Sequence, residues 1–285
     1  MKKNITIIIL TIIILIAVGY IIKLSHTPEI VVAVESECTA EDGVWNNDKQ
    51  TCLYDEGDFK LIIEEAQTEE TVKYQTFLEE DGEIENIIGY MNEDFALPFD
   101  VDVVFTNCDE ANAWYSSDTV SLTYCYELMQ DVDAIYTELG YEGDELDVAI
   151  FNNTFATLYH EFGHAIIDIF NLPITGREED VADQISTYVL LNSYEDEAGS
   201  VLDASEEYYV NAEKYPPEAD SFADVHTPDL ARYYNLVCWV YGSDEKKFSY
   251  LLDSTGITEN RASGCADEYN QFKDSLEVLL AGFSK

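Results

Sequence analysis

The stretch Leu158-Tyr159-His160-Glu161-Phe162-Gly163-His164-Ala165-Ile166 sits in a run where Phe151, Phe155, Leu158, Phe162 and Ile169 recur at helical spacing and Pro173 marks the end. On a helix, residues i and i+4 lie one turn apart on the same face, so the imidazoles of His160 and His164 can reach one metal ion. Glu161 then stands beside the open coordination position, where its carboxylate can take a proton from water on the metal. The chain contains only 4 His, which makes a chance His-Glu-x-x-His rare. The plain alternative is a pair of helix histidines hydrogen-bonded at the surface.

Two histidines leave a catalytic zinc site one protein donor short. The next segment, Gly176-Arg177-Glu178-Glu179-Asp180-Val181-Ala182-Asp183-Gln184, opens a second helix. Thr175 and Glu178 have the spacing of a capping box, and Val181, Ile185 and Val189 supply an inward face. Glu179 and Asp183 are therefore one turn apart. The natural assignment makes Glu179 the third ligand and Asp183 an acceptor that fixes the tautomer and orientation of a ligand histidine. Asp180 or Glu178 could substitute as the ligand, and an acidic cluster also suits the positive end of a helix.

Around these two helices the pattern is mixed. Residues 100–107 alternate like a strand, as do Thr119 to Tyr126. Residues 60–94 carry helical and mixed signals, and helices are expected at 127–139, 148–171, 177–194, 229–242 and 267–282. The fold class that follows is α+β, mostly helical with a small sheet.

The 285-residue chain begins with Lys2 and Lys3 before an apolar run from Ile5 to Ile22. That run is long enough to span a bilayer, and the leading lysines favour a cytoplasmic N-terminus. Residues 1–25 are read as an uncleaved signal anchor, with Ala17-Val18-Gly19 offering a cleavage site for a secreted form. Residues 26–69 are read as a stalk with a small stapled hairpin between Cys38 and Cys52, and 70–285 as the main domain. The chain is thus expected outside the cytoplasm, anchored by one N-terminal segment or secreted. Six cysteines allow 15 pairings. In an exported chain the sequence-local set Cys38 with Cys52, Cys108 with Cys125 and Cys238 with Cys265 is preferred. With 58 acidic against 14 basic residues and a formal net charge of −44, the surface repels phosphate backbones and excludes nucleic acid as a partner.

His-Glu-x-x-His followed by Glu179-x-x-Ala182-Asp183 resembles the gluzincin pattern. The longer string from His160 to Gln184 is similar to a little-characterised family of microbial metallopeptidases. That resemblance extends to Cys108 through Tyr115, Cys125 through Leu128, and His226 through Gly242, covering about 80–285. It implies a zincin-like domain with one catalytic Zn2+ on His160, His164 and Glu179, and Glu161 as general base in the hydrolysis of a peptide or protein substrate. It further implies a donor for the developing oxyanion, for which His226 is the candidate, with Arg232, Tyr233 and Tyr234 close in sequence. By the same likeness, the strand at 119–126 falls where zincins hold the edge strand that pairs with extended substrate. Three other readings compete: a hydrolase of non-peptide amides with the same ligands, an anchored binding protein with a structural metal or none, and an acidic calcium-dependent surface protein.

Overall fold

The computed structural model describes residues 44–46, 51–53, 55–80, 82–192 and 198–285. The expected membrane segment at 1–25 and Cys38, with its pairing to Cys52, lie outside them. Among the described residues no helix is long and apolar enough to cross a membrane.

A short antiparallel hairpin, β1 (Val44–Asn46) with β2 (Thr51–Leu53), sets Trp45 opposite Cys52. The main sheet takes in β3 (Phe59–Ile63), which lies upstream of the expected domain start at 70. After α1 (Val72–Glu80) and α2 (Glu83–Asp94) come β4 (Val101–Thr106), β5 (Ala113–Ser116) and β6 (Ser121–Cys125). Helices α3 (Tyr126–Leu139), α4 (Asp144–Ile169), α5 (Glu178–Asn192), α6 (Ala198–Lys214) and α7 (Asp229–Ser243) follow. Two single turns, α8 (Leu251–Ser254) and α9 (Glu259–Ala262), lead into α10 (Cys265–Leu280).

The sheet order is β3-β4-β6-β5, with β3, β4 and β6 mutually parallel and β5 antiparallel to β6. Alternation decides which way β4 faces: Val101, Val103 and Phe105 are buried while Asp102 is exposed. One expectation is corrected here. The strand read at 119–126 is not the edge, because β6 is paired on both sides, to β4 and to β5. The edge on that side is the four-residue β5, too short for its alternation to register in the sequence.

Helix α4 packs on the sheet through β5 and β6 and against α3, α5 and α6, which is why its apolar residues run almost all round it. Phe162, between the two motif histidines, anchors it on the sheet side, with ring centroids 5.3 Å from Phe59 and 4.8 Å from Phe95. Phe162 lies about 200° around the helix from His160, so burying it turns both histidines outward. Helix α6 gave no sequence signal. Its buried residues, Ala198, Ser200, Val201, Ala204, Ser205 and Ala212, are small, which allows close packing against α4 and α7 without a strong apolar stripe.

Helix α5 begins at Glu178, and the Arg177 carbonyl accepts from the Val181 amide. Thr175 therefore lies ahead of the cap position that the capping-box reading gave it. Two of the expected disulfides are present, Cys108–Cys125 and Cys238–Cys265. The second ties α7 to α10 where they come closest: a Cβ on Gly242 would stand 2.3 Å from the Cys265 carbonyl oxygen. The first closes a sequence separation of 17 residues around β5. Replacing both its cysteines by serine is expected to cost about 3 kcal/mol. Urea unfolding measures this, and an unchanged midpoint would show that the loop is held without the bridge.

Candidate metal centre

Helix α4 supplies His160, Glu161 and His164, and α5 supplies Glu179 and Asp183. The two helices touch at Gly163, where a Cβ would lie 3.0 Å from Ala182 Cα. This close approach brings the first turn of α5 level with the motif.

Three donor atoms converge. His160 Nε2 is 3.2 Å from Glu179 Oε2, His164 Nε2 is 3.3 Å from the same oxygen, and the two Nε2 atoms are 3.3 Å apart. A tetrahedral zinc ion with bonds of about 2.0 Å would hold its donors about 3.3 Å from one another. The triangle therefore fits such an ion as it stands. Its composition, two imidazoles and one carboxylate, is a common catalytic zinc set. Of the alternatives for the third position, Glu178 instead holds His164 Nδ1 at 2.8 Å, and Asp180 accepts from Thr227 Oγ1 at 2.6 Å.

Each histidine is braced from behind. Asp183 Oδ1 lies 2.9 Å from His160 Nδ1, the position expected of a carboxylate that orients a ligand imidazole. Asp183 is itself gripped by Arg232, whose Nη2 donates to Oδ1 at 2.6 Å and whose Nε donates to Oδ2 at 2.9 Å. Arg232 and Tyr233, noted in the sequence only as neighbours of His226, have partners of their own. Arg232 is buried on Asp183, and the Tyr233 hydroxyl donates to the Thr255 carbonyl at 3.0 Å.

His226 does reach the site. It precedes α7 in a loop held at the start of α5, where Arg177, the residue before the helix, donates through Nη1 to the Asp224 and His226 carbonyls at 3.3 and 3.4 Å. Its Nε2 is 3.3 Å from Glu179 Oε2, and its Nδ1 is 3.0 Å from Asp224 Oδ1. Glu161, His164, Glu179 and His226 share a cleft of about 700 Å³ with Asn112 through Tyr115 of the edge-strand segment. The Tyr115 hydroxyl donates to Asp168 at 2.9 Å, joining that strand to α4. Sequence reasoning missed this pair, since no motif links a tyrosine on a short strand to an aspartate 53 positions later.

The electrostatics follow from this geometry. Burial opposes a proton on His160, but hydrogen bonds to Asp183 and Glu179 outweigh it and raise its pKa to about 9. His164 shifts the same way: burial again works against the proton, and Glu179 restores it. Burial also disfavours charge on Glu179, yet both histidines hold its carboxyl well below the usual carboxylate range. Asp183 is likewise kept ionised despite burial, by the charge of Arg232 and by His160.

The DUF4344 family model, described as "Putative metallopeptidase", matches residues 63–280. No curated protein and no solved structure matches the chain.

A metal at this triangle must displace the proton from His160 Nε2. Because the pKa of His160 is raised, that proton is bound throughout the range below about 9. Metal affinity is therefore expected to rise with pH up to about 9, with at least about one proton released per ion at pH 7. Titration calorimetry in two buffers of different ionisation enthalpy reads the proton count, and zero release at pH 7 would contradict this account.

Proposed function

The chain belongs to the metallopeptidase family DUF4344, and on that premise we propose that it is a zinc-dependent endopeptidase working outside the cytoplasm, with Zn2+ on His160, His164 and Glu179. The observation that carries this reading is the donor triangle with 3.2–3.3 Å edges beside Glu161 on one wall of the cleft. A structural zinc site closes its fourth position with another protein ligand and has no use for an adjacent base.

When bound, the ion supplies Lewis acidity toward a carbonyl and acidifies water. Glu161 accepts the proton of the attacking water and passes it to the leaving amine as the peptide bond breaks. His226 presents Nε2 to the same space with Asp224 at its Nδ1, placed to donate a hydrogen bond to the developing oxyanion. The unpaired edge of β5 borders the cleft and can add an extended substrate as a further strand. Backbone pairing of this kind needs no chain end, which favours internal cleavage.

Work outside the cytoplasm is supported by the Lys-led apolar run at the N-terminus and by the two disulfides. The same N-terminal run is the proposed membrane attachment.

The decisive experiment compares the zinc-loaded full chain with its Glu161→Gln variant on a mixed peptide library. The expected result is cleavage by the parent and none by a variant that keeps its zinc. A parent that binds one zinc and cleaves nothing would overturn the peptidase reading, and one that binds no zinc would overturn the metal reading as well. His226→Ala is expected to lower kcat by about 10²–10³ with little change in KM, as for the loss of one oxyanion donor. Steady-state kinetics test this, and an unchanged kcat would remove His226 from the reaction.

A further inference from the structure

Behind the donor triangle, four consecutive helices each contribute one side chain to a single line of contacts: His160 from α4, Asp183 from α5, Tyr208 from α6 and Arg232 from α7. Arg232 is 7% exposed and Asp183 6%. The guanidinium carbon lies 4.0 Å from the centre of the Tyr208 ring, so that ring covers one flat face of the group while its edge forks onto both oxygens of Asp183. None of the donor atoms of the triangle touches Arg232.

We propose that Arg232 is a positioning residue for the metal, acting through Asp183 to aim the imidazole of His160. The inference rests on the metal reading above and adds to it a residue on a helix that supplies no ligand.

The argument is geometric. An imidazole binds a metal through Nε2 only if Nδ1 carries the proton and the ring plane points the lone pair at the ion. Asp183 Oδ1 stands in ion-pair contact with Nδ1 at 2.9 Å, within reach of its proton. A carboxylate on a side chain can rotate about its terminal bond, and one hydrogen bond to a ring does not fix that rotation. A two-pronged contact with a planar guanidinium does, because both oxygens are then held in the plane of the fork. Oδ1, held in that plane, stays against Nδ1 of His160.

The chain's arginine usage accords with this role. Of its 14 basic residues only Arg177, Arg232 and Arg261 are arginine. Two of those three serve the site, Arg232 on Asp183 and Arg177 on the loop that carries His226. A lysine would neutralise Asp183 as a point charge but could not hold its plane. The fork also brings positive charge to the buried Asp183 and toward Glu207 and Asp229.

The test measures zinc affinity rather than turnover, on the full chain stripped of metal and titrated against a chromogenic chelator. Arg232→Met and Asp183→Asn are each expected to weaken zinc binding about 10- to 100-fold, the usual effect of losing a partner of a ligand histidine. Arg232→Lys is expected to fall between the parent and Arg232→Met. If Arg232 acts only through Asp183, adding Arg232→Met to Asp183→Asn weakens binding by no more than about 3-fold further. A merely structural role would leave the affinity of each folded variant unchanged, or would multiply the two losses, and either result overturns the proposal. The double variant removes both buried charges together, so it can be read even if Arg232→Met alone does not fold. In that case Arg232→Lys is decisive, and parental affinity in it overturns the proposal. A parent chain that binds no zinc would overturn the metal reading itself, and this inference with it.

Discussion

The close approach of α4 and α5 at Gly163 and Ala182 is the constraint on which the site depends. A Cβ at position 163 would press within 3.0 Å of the Ala182 backbone, so the residue just before the second motif histidine sets how near α5 can lie. Glu179 and Asp183 flank Ala182 on α5. The one sits at the donor triangle, and the other lies 2.9 Å from the back of His160. A shift of a few tenths of an ångström between the helices would move both carboxylates together relative to both imidazoles. For a zinc ion, whose donors would stand about 3.3 Å apart, that shift would open the triangle.

The rest of the fold holds the two helices at that separation. Phe162 packs against Phe59 and Phe95 and seats α4 on the sheet. Helix α6 reaches α4 closely because its inner face is alanine and serine. Helix α7 brings Arg232 to the far side of Asp183, and the Cys238–Cys265 bridge fastens α7 to α10. The loop before α7 then carries His226 back over the first turn of α5, where Arg177 and Asp180 hold it on either side of Glu179. In a chain of net charge −44, the few cationic groups near the cleft are spent on its internal order.

The HExxH helix, the helix that follows it and the two strands at 100–107 and 119–126 were legible in the sequence because each has a strong period. Helix α4 is apolar with helical spacing, and β4 alternates buried Val101, Val103 and Phe105 with the less buried Asp102, Val104 and Thr106. The edge β5 and helix α6 were not legible. The first is four residues long, and the second buries small residues whose hydropathy is weak even though their packing is close. The edge role expected for the strand at 119–126 belongs to β5. Strand order is a matter of which strands meet, and a period along one strand carries no information about its neighbours.

For the site, the sequence by itself determined what local geometry dictates: two histidines and a glutamate on one helix, and two carboxylates one turn apart on the next. Helical spacing fixes those relations whatever the surroundings. Only the tertiary structure decided which carboxylate meets the imidazoles, that Glu178 turns to His164 Nδ1 while Glu179 enters the triangle, and that His226 reaches it from a loop 47 residues after Glu179. It also set Arg232 on the buried side of Asp183. Those choices depend on how α5 and α7 are rotated and spaced against α4, and that is set by steric contacts such as Gly163 against Ala182 between residues far apart in the chain.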